Sequence, residues 1–396
     1  MTRRSNFFAS TLLFVTTSVQ AASVPVTVTI TTVVLAAAGA LVSHPGSASA
    51  APRPPGPPIT PIQRPPRQIV YTVDSTADEA DAARDGVCRT ASGSCTLRAA
   101  VEESAGFSPF VFTISVPAGF YPLNTGAALS FANGTRVMIS GAGSGLTRVS
   151  GAQKTRVVDI DAGASVSIDG VSIQTGLVTA GGYFGHWHGA GIHNHGTLVL
   201  TNSAVLGNQE PTTPSTGSSV WGGGGITNAT NANATLVNVT LYMNSTDNGH
   251  GAAIENLGGT MRLNHVTVGP HDSDRGQVAV YNGSGGSLTA EYSIFSTAYP
   301  NSTPNCFGAI TWVLSISNDG SCAFPGYDFI DAQLGALDYN RHALPIAATS
   351  PAVDAGPLGT PVGRDQIGQA RPVDGNCDAD PVEDLGAYEF QNRSCP

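Results

Sequence analysis

The segment GHWHGAGIHNHG, residues 185–196, concentrates four of the nine histidines, His186, His188, His193 and His195, around Trp187. Imidazole is a metal ligand and a proton carrier near neutral pH. On an extended strand alternate residues share a face, so His193 and His195 would point the same way and supply two of the ligands zinc requires. No cysteine or well-placed acid is evident as a third, and solvated outer histidines explain the pair as well. A second group, Asp374, Asn376, Asp378, Asp380 and Asp384 in VDGNCDADPVEDL, alternates oxygen donors as structural Ca2+ loops do. It is not an EF-hand, since Ala379 stands at the sixth place and Leu385 at the twelfth. The expectation is therefore no cofactor other than a structural calcium in this loop. The acids Asp74, Asp78, Glu79, Asp81 and Asp85 read as a solvated loop.

Catalytic constellations are incomplete. Gly249-His250-Gly251 follows Asp247, yet the paired aspartates and basic motif of a polygalacturonase-like hydrolase are missing. Residues 157–300 hold only Arg262 and Arg275 as basic side chains, too few for the base and carboxylate cluster of a polysaccharide lyase. The run Gly141-Ala142-Gly143-Ser144-Gly145 is not a Gly-x-Ser-x-Gly elbow. Nucleic acid is excluded as a partner by a net charge of −10, one lysine and no basic cluster.

The elements that would carry these residues repeat. GAGIHNHGTLVLTNSAVLGN, GGGITNATNANATLVNVTLYMN, GAAIENLGGTMRLNHVTV and GQVAVYNGSGGSLTAEYSIF each run Gly, then Ile or Val, then Asn two residues on, then a second alternating β run. The apolar positions are Ile192, Ile226, Ile254 and Val280, spaced by 34, 28 and 26, and the asparagines are Asn194, Asn228, Asn256 and Asn282. VVDIDAGASVSIDGVSIQ extends the frame backwards, with Ile160 taken as the partner of Ile192. One such coil cannot bury its inward face alone, whereas stacked coils can, and equivalent asparagines then form a ladder. The prediction is an all-β, right-handed parallel β-helix with a short capping helix inside CTLRAAVEESA, started by Thr96 and turning Glu102 and Glu103 away from the core.

Residues 1–50 read as an export signal: Arg3 and Arg4, two apolar runs and an Ala48-Ser49-Ala50 exit. The alternative is an uncleaved anchor, because Val24–Val42 carries no charge. Residues 51–68 are a proline-rich linker, 69–110 an N-terminal cap, 111–300 the coils, and 301–396 further coils with a disulfide-stapled cap. An even six cysteines in an exported chain imply three disulfides, and nearest neighbours give Cys88–Cys95, Cys306–Cys322 and Cys377–Cys395.

VYTVDSTADEADAARDGVCRTASGSCTLRAAVEES, residues 70–104, resembles the N-terminal module of bacterial exported CSLREA-domain proteins, with Cys95-Thr96-Leu97-Arg98-Ala99-Ala100 at the name motif. ATSPAVDAG, DQIGQARP and DLGAYEF are similar to the choice-of-anchor region that closes such proteins, except that Ile367 replaces a usual arginine. The resemblance implies a pectin-lyase-like β-helix outside the cell or at its surface, and assigns no reaction.

In the repeat frame Trp187 and Trp221 each stand five residues before the aligned isoleucine, and His188 and His250 each stand four before it. Trp187, Trp221, His186, His188 and His250 are therefore expected to share one outer ridge suited to sugar rings. Equally, the tryptophans would merely cover neighbouring glycine strands. The functional expectation is an extracellular binding protein, with a glycan or cell-surface partner and no membrane span once the signal is removed. The alternative is a polysaccharide lyase or glycoside hydrolase.

Overall fold

The computed structural model describes residues 19–21, 24–26, 68–105, 110–178, 188–210, 222–246, 249–271, 278–297, 304–357 and 363–391. Val19–Ala21 and Val24–Val26 pair antiparallel within a separate unit, residues 1–63. Everything described from residue 68 onward belongs to a second unit, which is a parallel β-helix.

Seven short strands stack in parallel to form one face: Leu129–Phe131, Val158–Ile160, Ile192–Asn194, Ile226–Asn228, Ile254–Asn256, Val280–Asn282 and Cys306–Phe307. Fourteen other strands form a branched sheet that wraps the remaining faces, and Gln209–Glu210 pairs with Ser245–Thr246 apart from it. Its longest members, Thr197–Leu206, Asn233–Tyr242 and Thr260–Val268, bend partway along at Asn202, Asn238 and His265, which take φ of 49°, 54° and 50°. Asparagine tolerates that left-handed corner better than most side chains, and Gly170 does the same one coil earlier with φ 64°.

Alternation decides what is inside. Ile192, Ile226, Ile254 and Val280 are fully buried and adjacent in register, facing Leu198, Leu200, Leu236 and Leu263 from the other sheet. The asparagine ladder forms as expected. Asn194 Nδ2 donates to Asn228 Oδ1 at 2.8 Å, Asn228 to Asn256 at 2.9 Å, and Asn256 to Asn282 at 2.7 Å. The carboxamides also donate to backbone carbonyls, Asn194 to Asn233, Asn256 to Gly259 and Asn282 to Ala309. A second asparagine contact, Asn208 to Asn244 at 2.9 Å, stands at another corner.

The register corrects one sequence assignment. Ile192 pairs with Val158, not Ile160, and Ile160 pairs with Asn194. A slip of two residues leaves every apolar side chain facing inward, so patterning alone does not detect it.

Both ends are covered. Helix α1, Leu97–Ser104, closes the first coil, and Thr96 Oγ1 accepts from Ala99 N at 3.0 Å as its cap. Arg98 turns into the junction, donating to Asp78 at 2.6 Å and to the carbonyls of Ala127 and Ala128. Asp78 also receives the amide and hydroxyl of Thr125, so this acid is a clamp and not part of a solvated run. Glu103 differs from expectation too: it is buried and accepts from Gly86 N, because the 74–95 loop folds over that side of the helix. Strand Gln68–Thr72, whose first residue falls in the expected linker, pairs with Val111–Val116. At the far end Trp312 packs on Phe324 and Tyr327, and Phe324 on Phe295.

Disulfides Cys88–Cys95 and Cys306–Cys322 staple these two covers. The third expected pair includes Cys395, outside the described residues. Residues 332–357 and 363–391 run back along the corner of the coils as a strap. Ser144 Oγ donates to the Arg341 carbonyl, Thr240 Oγ1 to Gln366 Oε1, and Ala387 N to Thr267 Oγ1. Arg371, buried, joins Glu389 at 2.8 Å and Asn238 at 3.3 Å.

Candidate ligand-binding face

The outer side of the seven-stranded sheet gathers the chemistry. Its central outward column, read coil by coil, is Ser130, Asp159, His193, Thr227, Glu255, Tyr281 and Phe307. At about 4.8 Å per strand, the five steps from Asp159 to Phe307 cover roughly 24 Å. Three groups divide it.

At one end Asp159 Oδ1 accepts from His193 Nδ1 at 3.0 Å and lies 3.2 Å from the Arg156 guanidinium. A carboxylate can only accept, so His193 carries its proton on Nδ1 and offers the Nε2 lone pair. His195 Nε2 approaches that lone pair at 2.9 Å and donates to it, with the rings edge to face. Burial pushes the His193 imidazolium down to about 4 despite Asp159, so the ring is neutral at pH 7. Burial opposes ionisation of Asp159, yet His193 and Arg156 outweigh it and hold its carboxyl below the usual range. His195 is exposed.

In the middle, Glu255 is only 1% exposed. Its carboxylate accepts from Thr227 Oγ1 at 3.0 Å and from His188 Nδ1 at 2.9 Å. His188 lies two coils away, and the coil between has Gly222 at the equivalent place, paired with His250 on the next. A Cβ on Gly222 would sit 2.2 Å from Glu255 Oε1, so the missing side chain is what lets the acid reach His188. Burial disfavours the His188 cation, but the Glu255 carboxylate overrides it and raises the pKa above 6.5.

At the other end three rings stack in parallel. His250 lies on Tyr281 at 4.4 Å between centroids, and Tyr281 on Phe307 at 5.2 Å, with planes within 11°. Phe307 is 56% exposed.

The sequence frame thus placed His188 and His250 correctly at one offset, on successive sides of Gly222. Trp187, Trp221 and His186 lie outside the described residues. Asp159, Glu255, Tyr281 and Phe307 were missed. Their signal was present, since each stands between the aligned apolar residue and the next inward position, or its equivalent, in its own repeat.

The acidic loop is arranged otherwise. Asp374 accepts from the amides of Cys377, Asp378 and Ala379, Asn376 Oδ1 from Asp378 N, and Asp378 Oδ1 from Asp380 N. Asp384 turns inward, accepting from Asp354 N and Phe390 N. Among the described residues no group of three or more His, Cys, Asp or Glu side chains is placed to hold a metal. A cavity of about 520 Å³ lies elsewhere, between the Gly141–Leu146 turn and strap residues Arg364–Gly368. Its polar groups serve the fold: Asp169 accepts from Thr201 and Asn202, and Arg364 donates to Gly368. The histidine face, where acids and bases converge, is the better candidate.

No family model, curated protein or solved structure matches the chain. No helix of the described residues is long and apolar enough to cross a membrane, and the two disulfides fit an oxidising compartment.

Proposed function

We propose that this is an exported bacterial protein that works outside the cell or at its surface by binding a glycan along the outer face of the seven-stranded sheet. The resemblance of its two ends to CSLREA-domain proteins supports export. The observation that carries glycan binding is the stack of His250, Tyr281 and Phe307, ending in an exposed ring beside the polar group of His188, Thr227 and Glu255. Apolar sugar faces pack on such rings while hydroxyls meet His188, the partly exposed member of the polar group. The charges on this face are internally paired, Asp159 with Arg156 and Glu255 with His188, which favours a neutral polysaccharide over an acidic one.

A glycan array on the full chain tests the reading. Each ring contact contributes about 1 kcal/mol, so Tyr281→Ala with Phe307→Ala should weaken binding about 30-fold with little change in melting temperature. Retention of full affinity, or an array without hits, ends the proposal. Trp187→Ala with Trp221→Ala tests whether the ridge extends to those residues.

A second reading, a polysaccharide-degrading enzyme, is favoured by the Glu255–His188 pair, a buried carboxylate holding a partly exposed imidazole as a proton donor. Release of reducing ends or unsaturated products, abolished by His188→Ala, would put this reading first.

A further inference from the structure

We propose that His193 and His195 form a binding site for a divalent transition metal of the copper(II) class, with Asp159 as the positioning residue behind it. This is separate from the glycan reading and does not rest on it. The two Nε2 atoms converge to 2.9 Å on one strand. With metal–nitrogen bonds of about 2.0–2.1 Å, nitrogens at that separation subtend about 90° at a common ion. That is the cis angle of square-planar or tetragonal copper(II) or nickel(II) sites. A tetrahedral zinc site needs the same atoms about 3.3 Å apart. Imidazole donors favour copper(II) most strongly within the divalent series.

The support behind the pair is what a metal-bound histidine requires. Asp159 holds the Nδ1 proton of His193 at 3.0 Å, which fixes the tautomer and aims Nε2 at His195. His193 is 5% exposed, and with its Nδ1 proton held by Asp159 the ring presents its lone pair on Nε2. His195 is exposed and can rotate and exchange. In the free protein its Nε2–H points to His193. On binding, that proton leaves Nε2 and another is taken up at Nδ1 from water. The change is one of tautomer, with no net proton released and no oxidation or reduction. Water completes the coordination. Arg156 lies 3.2 Å from the same Oδ1 of Asp159 that holds His193, so this carboxylate is engaged behind the pair. Ca2+ and Mg2+, which need oxygen ligands, do not suit a pair of imidazole nitrogens.

The probe is copper(II) alone, titrated calorimetrically into the full disulfide-bonded chain at neutral pH, with electron paramagnetic resonance of the complex. The expected result is one ion with two imidazole nitrogens in its equatorial plane, unaffected by millimolar Ca2+. His195→Ala, at an exposed position that leaves the coil intact, should weaken binding about 100-fold. Asp159→Asn should weaken it about tenfold through loss of orientation. His188→Ala, on the same coil but four residues before the strand and directed to Glu255, should leave copper binding unchanged. Undiminished binding in His195→Ala, a spectrum with fewer than two nitrogens, or loss of binding in His188→Ala instead would overturn the assignment. Tighter binding of zinc than of copper would overturn the cis geometry.

Discussion

Replacing Glu255 with Gln isolates the ion pair at the centre of the face. The glutamine keeps the volume of the side chain and one carbonyl oxygen, so the bond from Thr227 survives, while the charge that attracts His188 is lost. A hydrogen bond to a charged partner contributes about 1.5–3 kcal/mol, and the His188 side chain is only 18% exposed, so solvent screens it little. The expected cost is about 2 kcal/mol at pH 5.5. The sign with pH follows from the direction of the shift. His188 titrates higher in the folded protein than in the unfolded chain. Its stabilisation is therefore complete below the unfolded value of about 6.5 and is lost as pH rises through the folded value. The difference between parent and Glu255→Gln, from urea unfolding, should fall below about 1 kcal/mol by pH 9. In the variant the His188 ring, followed by NMR, should titrate lower than in the parent, since burial is then opposed only by the charge of Glu210 and the Gly222 backbone. A cost that does not change with pH, or an unmoved His188 titration, would refute the pairing.

Asn228→Ala removes a carboxamide bonded on both sides and leaves Asn256 Oδ1 without its donor, so it should cost about 3 kcal/mol in urea unfolding. Asn282→Ala, at the end of the ladder, should cost about half as much. Arg98→Met leaves Asp78 buried without its cation and should destabilise the N-terminal cover by about 3–5 kcal/mol, visible as faster proteolysis of the 74–95 loop. Burial, then the charge of Glu389, raises Asp384 to about 8. The folded strap holds a proton that the unfolded chain gives up, so its stability should decline as pH rises from about 4 to 8, measured as increasing protease access to residues 363–391.

The repeat positions Ile192, Ile226, Ile254 and Val280 and the asparagine ladder were legible because inward burial and coil stacking leave a fixed mark on the sequence. The capping helix and two disulfides were legible from local signals: Thr96 before an apolar period, and cysteines close in the chain. The site was less so. His188 and His250 could be aligned, but Asp159 was hidden by a register slip that preserves the inward pattern. Glu255 was invisible as a partner of His188 because the contact passes over an intervening coil. The role of Arg98 and Arg371 as buried clamps depends on carbonyls and carboxylates brought together by tertiary structure. The alternating acids of the 374–384 loop satisfied a ligand pattern while their oxygens serve nearby backbone amides, which spacing does not distinguish.

The strap has a consequence for the order in which the molecule is completed. Coils of a solenoid need only their neighbours, so a chain emerging from its N-terminus could settle coil by coil. Here Ser144 waits for Arg341, Asn238 for Arg371 and Thr267 for Ala387, partners 197, 133 and 120 residues later. Until those residues arrive, the left-handed corner at Asn202, Asn238 and His265 stands uncovered on every coil already built. The strap makes one closed unit of a stack that would otherwise be open to partial unwinding, and it sets its own arrival as the step that commits the whole.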